Sequence, residues 1–93
     1  SITQEAPVIF LEQTMCGPAG NWLSVYDPDP EVCMYIVLYR SDCDDQYFNH
    51  ATSGDGNCGC ISPGTDCSAP SNQNIANYNS FNAINIYSVV GGW

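Results

Sequence analysis

Lysine is absent from this 93-residue chain, and a single arginine, Arg40, stands against ten carboxylates, giving a net charge of −9. Nucleic acid and anionic lipid are recognised by Lys and Arg that neutralise phosphate, so both partner classes are excluded. Partners should be neutral, cationic or bridged by divalent ions. No apolar run approaches the roughly 18 residues that a spanning helix needs, so no membrane insertion is expected. None of the nine asparagines stands in an N-x-Ser/Thr sequon, which leaves no acceptor for N-linked glycan. Histidine occurs once, at His50. A Ser–His–Asp or Cys–His unit would need it beside an activated nucleophile, and it reads instead as a strand residue beside Phe48. Paired carboxylates can cut glycosides, but so short a chain offers little room for a deep cleft. No catalytic residue and no enzymatic activity are expected.

Cysteine, by contrast, is abundant: Cys16, Cys33, Cys43, Cys58, Cys60 and Cys67. An even count at this density in a short chain reads as a disulfide framework made in an oxidising compartment. Metal ligation is the competing use, but Cys58-x-Cys60 lacks the two-to-four-residue spacing of common zinc knuckles. The start at Ser1, with neither Met nor an apolar leader, reads as a mature product whose signal peptide has been removed. The expected location is extracellular, with an oxidising organelle lumen as the alternative. At 44% hydrophobic and 12% aromatic the chain is too apolar for a disordered acidic tail. One domain is expected, over residues 15–93, preceded by an N-terminal arm or strand over 1–14.

Along the chain, Val8-Ile9-Phe10-Leu11, bounded by Pro7 and Glu12, reads as a short buried strand. Gly17-Pro18-Ala19-Gly20 is turn chemistry, and Trp22, Leu23, Val25 and Tyr26 form a second extended piece. Asp27-Pro28-Asp29-Pro30-Glu31 opens a helix, with an Asp cap, proline in the first turn and acid at the positive dipole end. The helix should run to Tyr39 or Arg40, with Arg40 complementing its negative end. Val32, Cys33, Ile36 and Val37 make one face, while Met34, Tyr35, Leu38 and Tyr39 cover much of the rest. A helix apolar nearly all round is buried on more than one side, and here another molecule is a candidate for the second side. A solvated turn at 41–45 leads to a strand over Gln46–Ala51. Next come a hairpin turn at 52–57, in which Gly54 and Gly56 can take positive φ, and a return strand over Cys58–Ile61. Cys58 and Cys60 are two apart and share a face. Residues 62–82 form an irregular loop pinned by Cys67, and Ala83–Val90 is the last strand. The fold expected is α+β, one helix on a twisted antiparallel sheet of about four or five short strands.

The element order resembles the PAN/apple family, with the look of PAN-like modules in microalgal and protist extracellular proteins. The resemblance spans residues 16–90. It is carried by Glu31-Val32-Cys33 opening the helix, by Cys43, and by Tyr47-Phe48-Asn49. The turn Gly54-Asp55-Gly56-Asn57-Cys58-Gly59-Cys60 and the closing Asn85-Ile86-Tyr87 complete it. Val37 stands where the family helix usually carries a second cysteine. Six cysteines allow 15 connectivities. The nested apple pattern implies Cys16–Cys67, Cys33–Cys60 and Cys43–Cys58. It also implies a non-enzymatic binding role toward proteins or carbohydrates, with no family site that transfers to particular positions.

Two acidic clusters, Asp27/Asp29/Glu31 and Asp42/Asp44/Asp45, offer the oxygens that calcium favours, but neither follows the EF-hand loop. Asp42, Asp44 and Asp45 are the calcium candidates. A capped helix start and a solvated turn are the plainer reading, and no resident metal or cofactor is expected. A domain this small cannot bury Trp22, Tyr26, Tyr35, Tyr39, Tyr47, Tyr78, Tyr87 and Trp93 together, and exposed aromatics among few charges mark contact patches. The interface candidates are Val8, Phe10, Met34, Tyr35, Leu38 and Tyr39. Two function classes follow. One is a secreted binding or adhesion module with a protein or glycan partner. The other is a structural subunit of an extracellular filament or other assembly of its own copies, or an accessory subunit in an oxidising lumen. The apolar arm over 1–11 either pairs within its own sheet or adds to the edge of a neighbour.

Overall fold

The computed structural model describes residues 5–16, 21–67, 73–74 and 83–91. The expected turn at 17–20, and the parts of the expected irregular loop at 68–72 and 75–82, lie outside them, as do Tyr78 and Trp93. One helix, α1 (Pro30–Leu38), packs on a five-stranded antiparallel sheet. The sheet comprises β1 (Ala6–Leu11), β3 (Trp22–Tyr26), β4 (Tyr47–Ser53), β5 (Asn57–Gly59) and β7 (Ala83–Val90), in the order β1-β7-β4-β5-β3. A two-stranded pair joins β2 (Thr14–Met15) to β6 (Gln73–Asn74).

The inner strands β4 and β7 bury side chains on both sides because both faces of the sheet are covered. Phe48 and Tyr87, cross-strand partners stacked 5.3 Å apart, turn toward the helix and pack with Cys33, Met34 and Val37. Ala51 and Ile84, and next to them Ile86, point the other way. There Met15, Cys16, Ile61 and Cys67 cover them. Asn49 holds that second cover in place: its buried side chain accepts from the Cys16 N–H (3.0 Å) and donates to the Cys16 carbonyl (3.2 Å), like one more rung of a strand pair. A buried amide is tolerated because both of its polar ends are satisfied.

The helix begins where its residues dictate. Asp29 is the cap, its carboxylate accepting from the Glu31 N–H (2.9 Å), and Pro30 occupies the first helical position. It ends at Leu38, just short of the expected boundary, as the last bonds tighten to i→i+3 spacing at Tyr39 and Arg40. The Arg40 guanidinium is bound by Asp42, two residues further on.

All six cysteines are paired, as Cys16–Cys67, Cys33–Cys58 and Cys43–Cys60. The first is the pairing implied by the apple resemblance; Cys33–Cys60 and Cys43–Cys58 are not formed. The reason is directional. Cys33 sits in the first half of α1 and Cys43 in the turn beyond it, and this path crosses β5 in the same sense as β5 runs. The earlier cysteine therefore meets Cys58 and the later one Cys60. A nested pairing would require the helix and β5 to run in opposite senses.

The run Val8-Ile9-Phe10-Leu11 is a strand, but it is exposed rather than buried, because β1 forms the outer edge of the sheet against β7. Pro7 fits this edge. Val89, opposite Pro7, turns its N–H to the Gln46 carbonyl on the far side (2.8 Å), so the Pro7 position points away from the ladder and its missing donor breaks no bond.

In the β4–β5 turn Gly56 takes the left-handed conformation (φ 75°), and an added Cβ would lie 2.6 Å from the Asp27 carbonyl oxygen. Gly54 is not among the positive-φ glycines. Gly64 has a similar φ of 85° with nothing within 4 Å of its virtual Cβ. Gly64→Ala is expected to cost about 1 kcal/mol from backbone strain alone. Gly56→Ala, strained and also driven into backbone, should cost about 3 kcal/mol. Urea titrations of the two variants measure the difference, and equal losses would mean that the turn moves off Asp27 freely.

Candidate interaction surface

Helix α1 has two apolar faces. Cys33, Met34 and Val37 are buried against the sheet, with Leu38 half-buried beside them. At 3.6 residues per turn, Val32, Tyr35, Ile36 and Tyr39 fall on the opposite side. Val32 and Tyr35 are exposed, Ile36 is intermediate, and Tyr39 keeps 91% of its surface. This outer ridge carries no charge along its length. Of the helix candidates, Tyr35 and Tyr39 therefore stand on the surface. Met34 is corrected to core, with 0% exposure, and Leu38 packs against the core cluster. Val32 and Ile36 belong to the ridge, although the sequence pattern groups them on one face with Cys33 and Val37, which are buried. The signal was available: a disulfide to a strand fixes Cys33 inward, which carries Val37 with it and turns Val32, Tyr35 and Tyr39 outward.

The second apolar surface is β1. Val8, Ile9, Phe10 and Leu11 are all exposed, and Phe10 rests on Tyr47 with ring centroids 5.0 Å apart. The register slips between Ile9 and Leu11, a bulge that bends this edge. Val8 and Phe10 are thus surface residues.

The acidic side chains serve as turn caps. Asp27 accepts from the Asp29 N–H (2.9 Å), and Asp44 from the N–H groups of Gln46 (3.0 Å), Tyr47 (3.1 Å) and Gly64 (3.3 Å). Asp42 binds Arg40 through both oxygens, at 3.1 and 3.0 Å. The guanidinium hydrogen bond holds the Asp42 carboxyl below its usual pKa, and the carboxylate raises that of Arg40 in return. Asp44 and Asp42 thus have partners of their own, and Asp45 lies beside them in the sequence. Asp42 also lies close to Cys43 and Cys60, but those two sulfurs are joined to each other. An open polar groove of about 400 Å³ runs past the ion pair, lined by Asn21, Trp22, Leu23, Cys60 and Ser62.

His50 is fully buried. Its Nε2 lies 2.8 Å from the Asp27 carbonyl, its Nδ1 2.8 Å from Thr52 Oγ1, and Thr52 Oγ1 2.7 Å from the Tyr87 hydroxyl. This chain of bonds ties the entry to the helix onto β4 and β7. No thiol is free to work with it.

Comparison of the chain with protein-family models, curated proteins and solved structures finds no match. The class defined by the fold is a small α+β domain stapled by three disulfides, which fits an oxidising or extracellular setting. Among the described residues no helix is long and apolar enough to cross a membrane.

Proposed function

We propose that the chain is a secreted, non-enzymatic binding or adhesion module of PAN/apple kind that engages a protein or carbohydrate partner through the outer face of α1. One observation carries this reading: the ridge Val32–Tyr35–Ile36–Tyr39 is apolar and uncharged, yet faces away from the core. A helix that only had to cover a sheet would carry polar residues there. Tyrosines suit recognition because they present a large rigid apolar area with a polar tip, for protein contacts and for stacking on sugar rings alike.

The double substitution Tyr35→Ser/Tyr39→Ser tests it. Both side chains are exposed, so the unfolding free energy should change by no more than about 1 kcal/mol. Binding to glycan arrays and peptide panels, and any self-association seen by light scattering, should fall at least tenfold. Unchanged binding across all three assays removes the ridge from the function.

The alternative reading, a structural subunit of an extracellular filament or other assembly, or an accessory subunit in an oxidising lumen, draws support from β1. An edge strand with four exposed apolar side chains is a template for a second strand. Pro7 and the bulge between Ile9 and Leu11 work against it, since both interrupt edge pairing.

A further inference from the structure

The partner chemistry of the same ridge follows from what flanks it, and this inference rests on the binding-module reading above. At the N-terminal end of α1 stand Asp27, Asp29 and Glu31. The Asp27 N–H donates to the Gly56 carbonyl (3.0 Å), which brings the hairpin residue Asp55 to the same end. Just beyond the C-terminal end come Asp42, Asp44 and Asp45. Arg40 is the one cation of the chain, and its guanidinium is held by both Asp42 oxygens. The ridge is thus an uncharged aromatic strip with Asp27, Asp29 and exposed Glu31 at its start and exposed Asp45 in the turn beyond its end, where Asp42 is taken by Arg40 and Asp44 by backbone N–H groups.

We propose that this surface docks a basic, apolar-faced segment of a partner protein: an amphipathic helix whose apolar side chains lie along Val32, Tyr35, Ile36 and Tyr39. Its Lys and Arg residues reach the carboxylates at either end. The apolar contact supplies affinity, as in helix-in-groove recognition. The tyrosine faces add cation–π contacts. The net charge of −9 steers a cationic segment in and repels an acidic one. An acidic partner helix would meet like charge at both ends, and a purely apolar one would leave the carboxylates unused.

The probe is a synthetic amphipathic helical peptide with leucine on one face and lysine on the other, titrated by calorimetry, with its leucine/glutamate counterpart as control. The lysine peptide is expected to bind at least about 100-fold more tightly than the glutamate peptide at low salt, and to weaken as salt rises. Tyr35→Ser/Tyr39→Ser, which leaves every charge in place, should weaken it at least about tenfold. Glu31→Gln/Asp45→Asn, which leaves the ridge in place, should weaken it about five-fold and flatten the salt dependence. If the tyrosine pair leaves the affinity unchanged, the attraction is diffuse charge and the proposal is wrong. It is equally overturned if the two peptides bind alike or neither binds. In those cases, glycan binding or self-association that still depends on Tyr35 and Tyr39 preserves the binding-module reading. Loss of that dependence sinks both.

Discussion

Full reduction of the three disulfides is expected to unfold the protein at 25 °C, with collapse of near-ultraviolet dichroism and a red shift of tryptophan emission. In the chain-entropy view the three loops, of 51, 25 and 17 residues in sequence separation, each restrain the unfolded chain by about 3–4 kcal/mol. The effects overlap. The Cys16–Cys67 loop is shortened through Cys33–Cys58, and the Cys33–Cys58 and Cys43–Cys60 loops interleave, so their sum is an upper bound. Even so, domains of this size hold only about 5–10 kcal/mol in all, and removing most of the restraint erases it. Removing Cys16–Cys67 alone, by substituting both cysteines with alanine, should cost about 3 kcal/mol. That lowers the melting temperature by about 12–24 °C for a chain of this length. The same variant loosens the cover over Ile86, where both sulfurs are buried with Ile61. A reduced protein that keeps its native spectrum would mean that the apolar core suffices alone.

The fold class was legible because its signals are local. The Asp-Pro-Asp-Pro-Glu run contains a cap, a tolerated proline and a favourable charge within five residues, and the observed helix starts inside it. The glycine turn before Cys58 likewise acts over a short distance. The disulfide pairing was not legible in the same way. It depends on the sense in which α1 crosses β5, a tertiary relation that no residue near Cys58 or Cys60 encodes. The position of β1 was half legible: four consecutive apolar residues mark a strand, but the same run fits a buried centre or an exposed edge. Pro7 was the discriminating residue, since proline enters a sheet at an edge.

The surface candidates divide along the same line. Tyr35 and Tyr39 are on the outer face of α1 because Cys33 is covalently held on the inner one, whereas Met34, one position from Cys33, is carried into the core. Hydrophobicity alone could not separate Met34 from Tyr35, because every residue from Val32 to Tyr39 is apolar or aromatic. The covalent anchor separates them.

His50→Leu should cost about 3–4 kcal/mol. Leucine matches the site in bulk and suits the strand core, so the loss comes from hydrogen bonding. The Asp27 carbonyl can only accept, which places a proton on His50 Nε2. In the neutral ring Nδ1 then accepts from Thr52, and Thr52 accepts in turn from the Tyr87 hydroxyl. With leucine, the Asp27 carbonyl loses its donor at the point where the chain enters the helix, and the Thr52 and Tyr87 hydroxyls lose the end of their chain. His50→Gln separates hydrogen bonding from packing, because a glutamine amide can donate to Asp27 from nearly the same place. It should recover about half of the lost stability. The triple variant His50→Leu/Thr52→Val/Tyr87→Phe should be little worse than His50→Leu, since the orphaned hydroxyls are then removed rather than stranded. Guanidinium titrations with disulfides intact give all three values. A leucine variant within 1 kcal/mol of wild type would show that the buried bonds contribute nothing, and packing of Cys33, Met34 and Val37 against Phe48 and Tyr87 would then be left to hold the helix to the sheet.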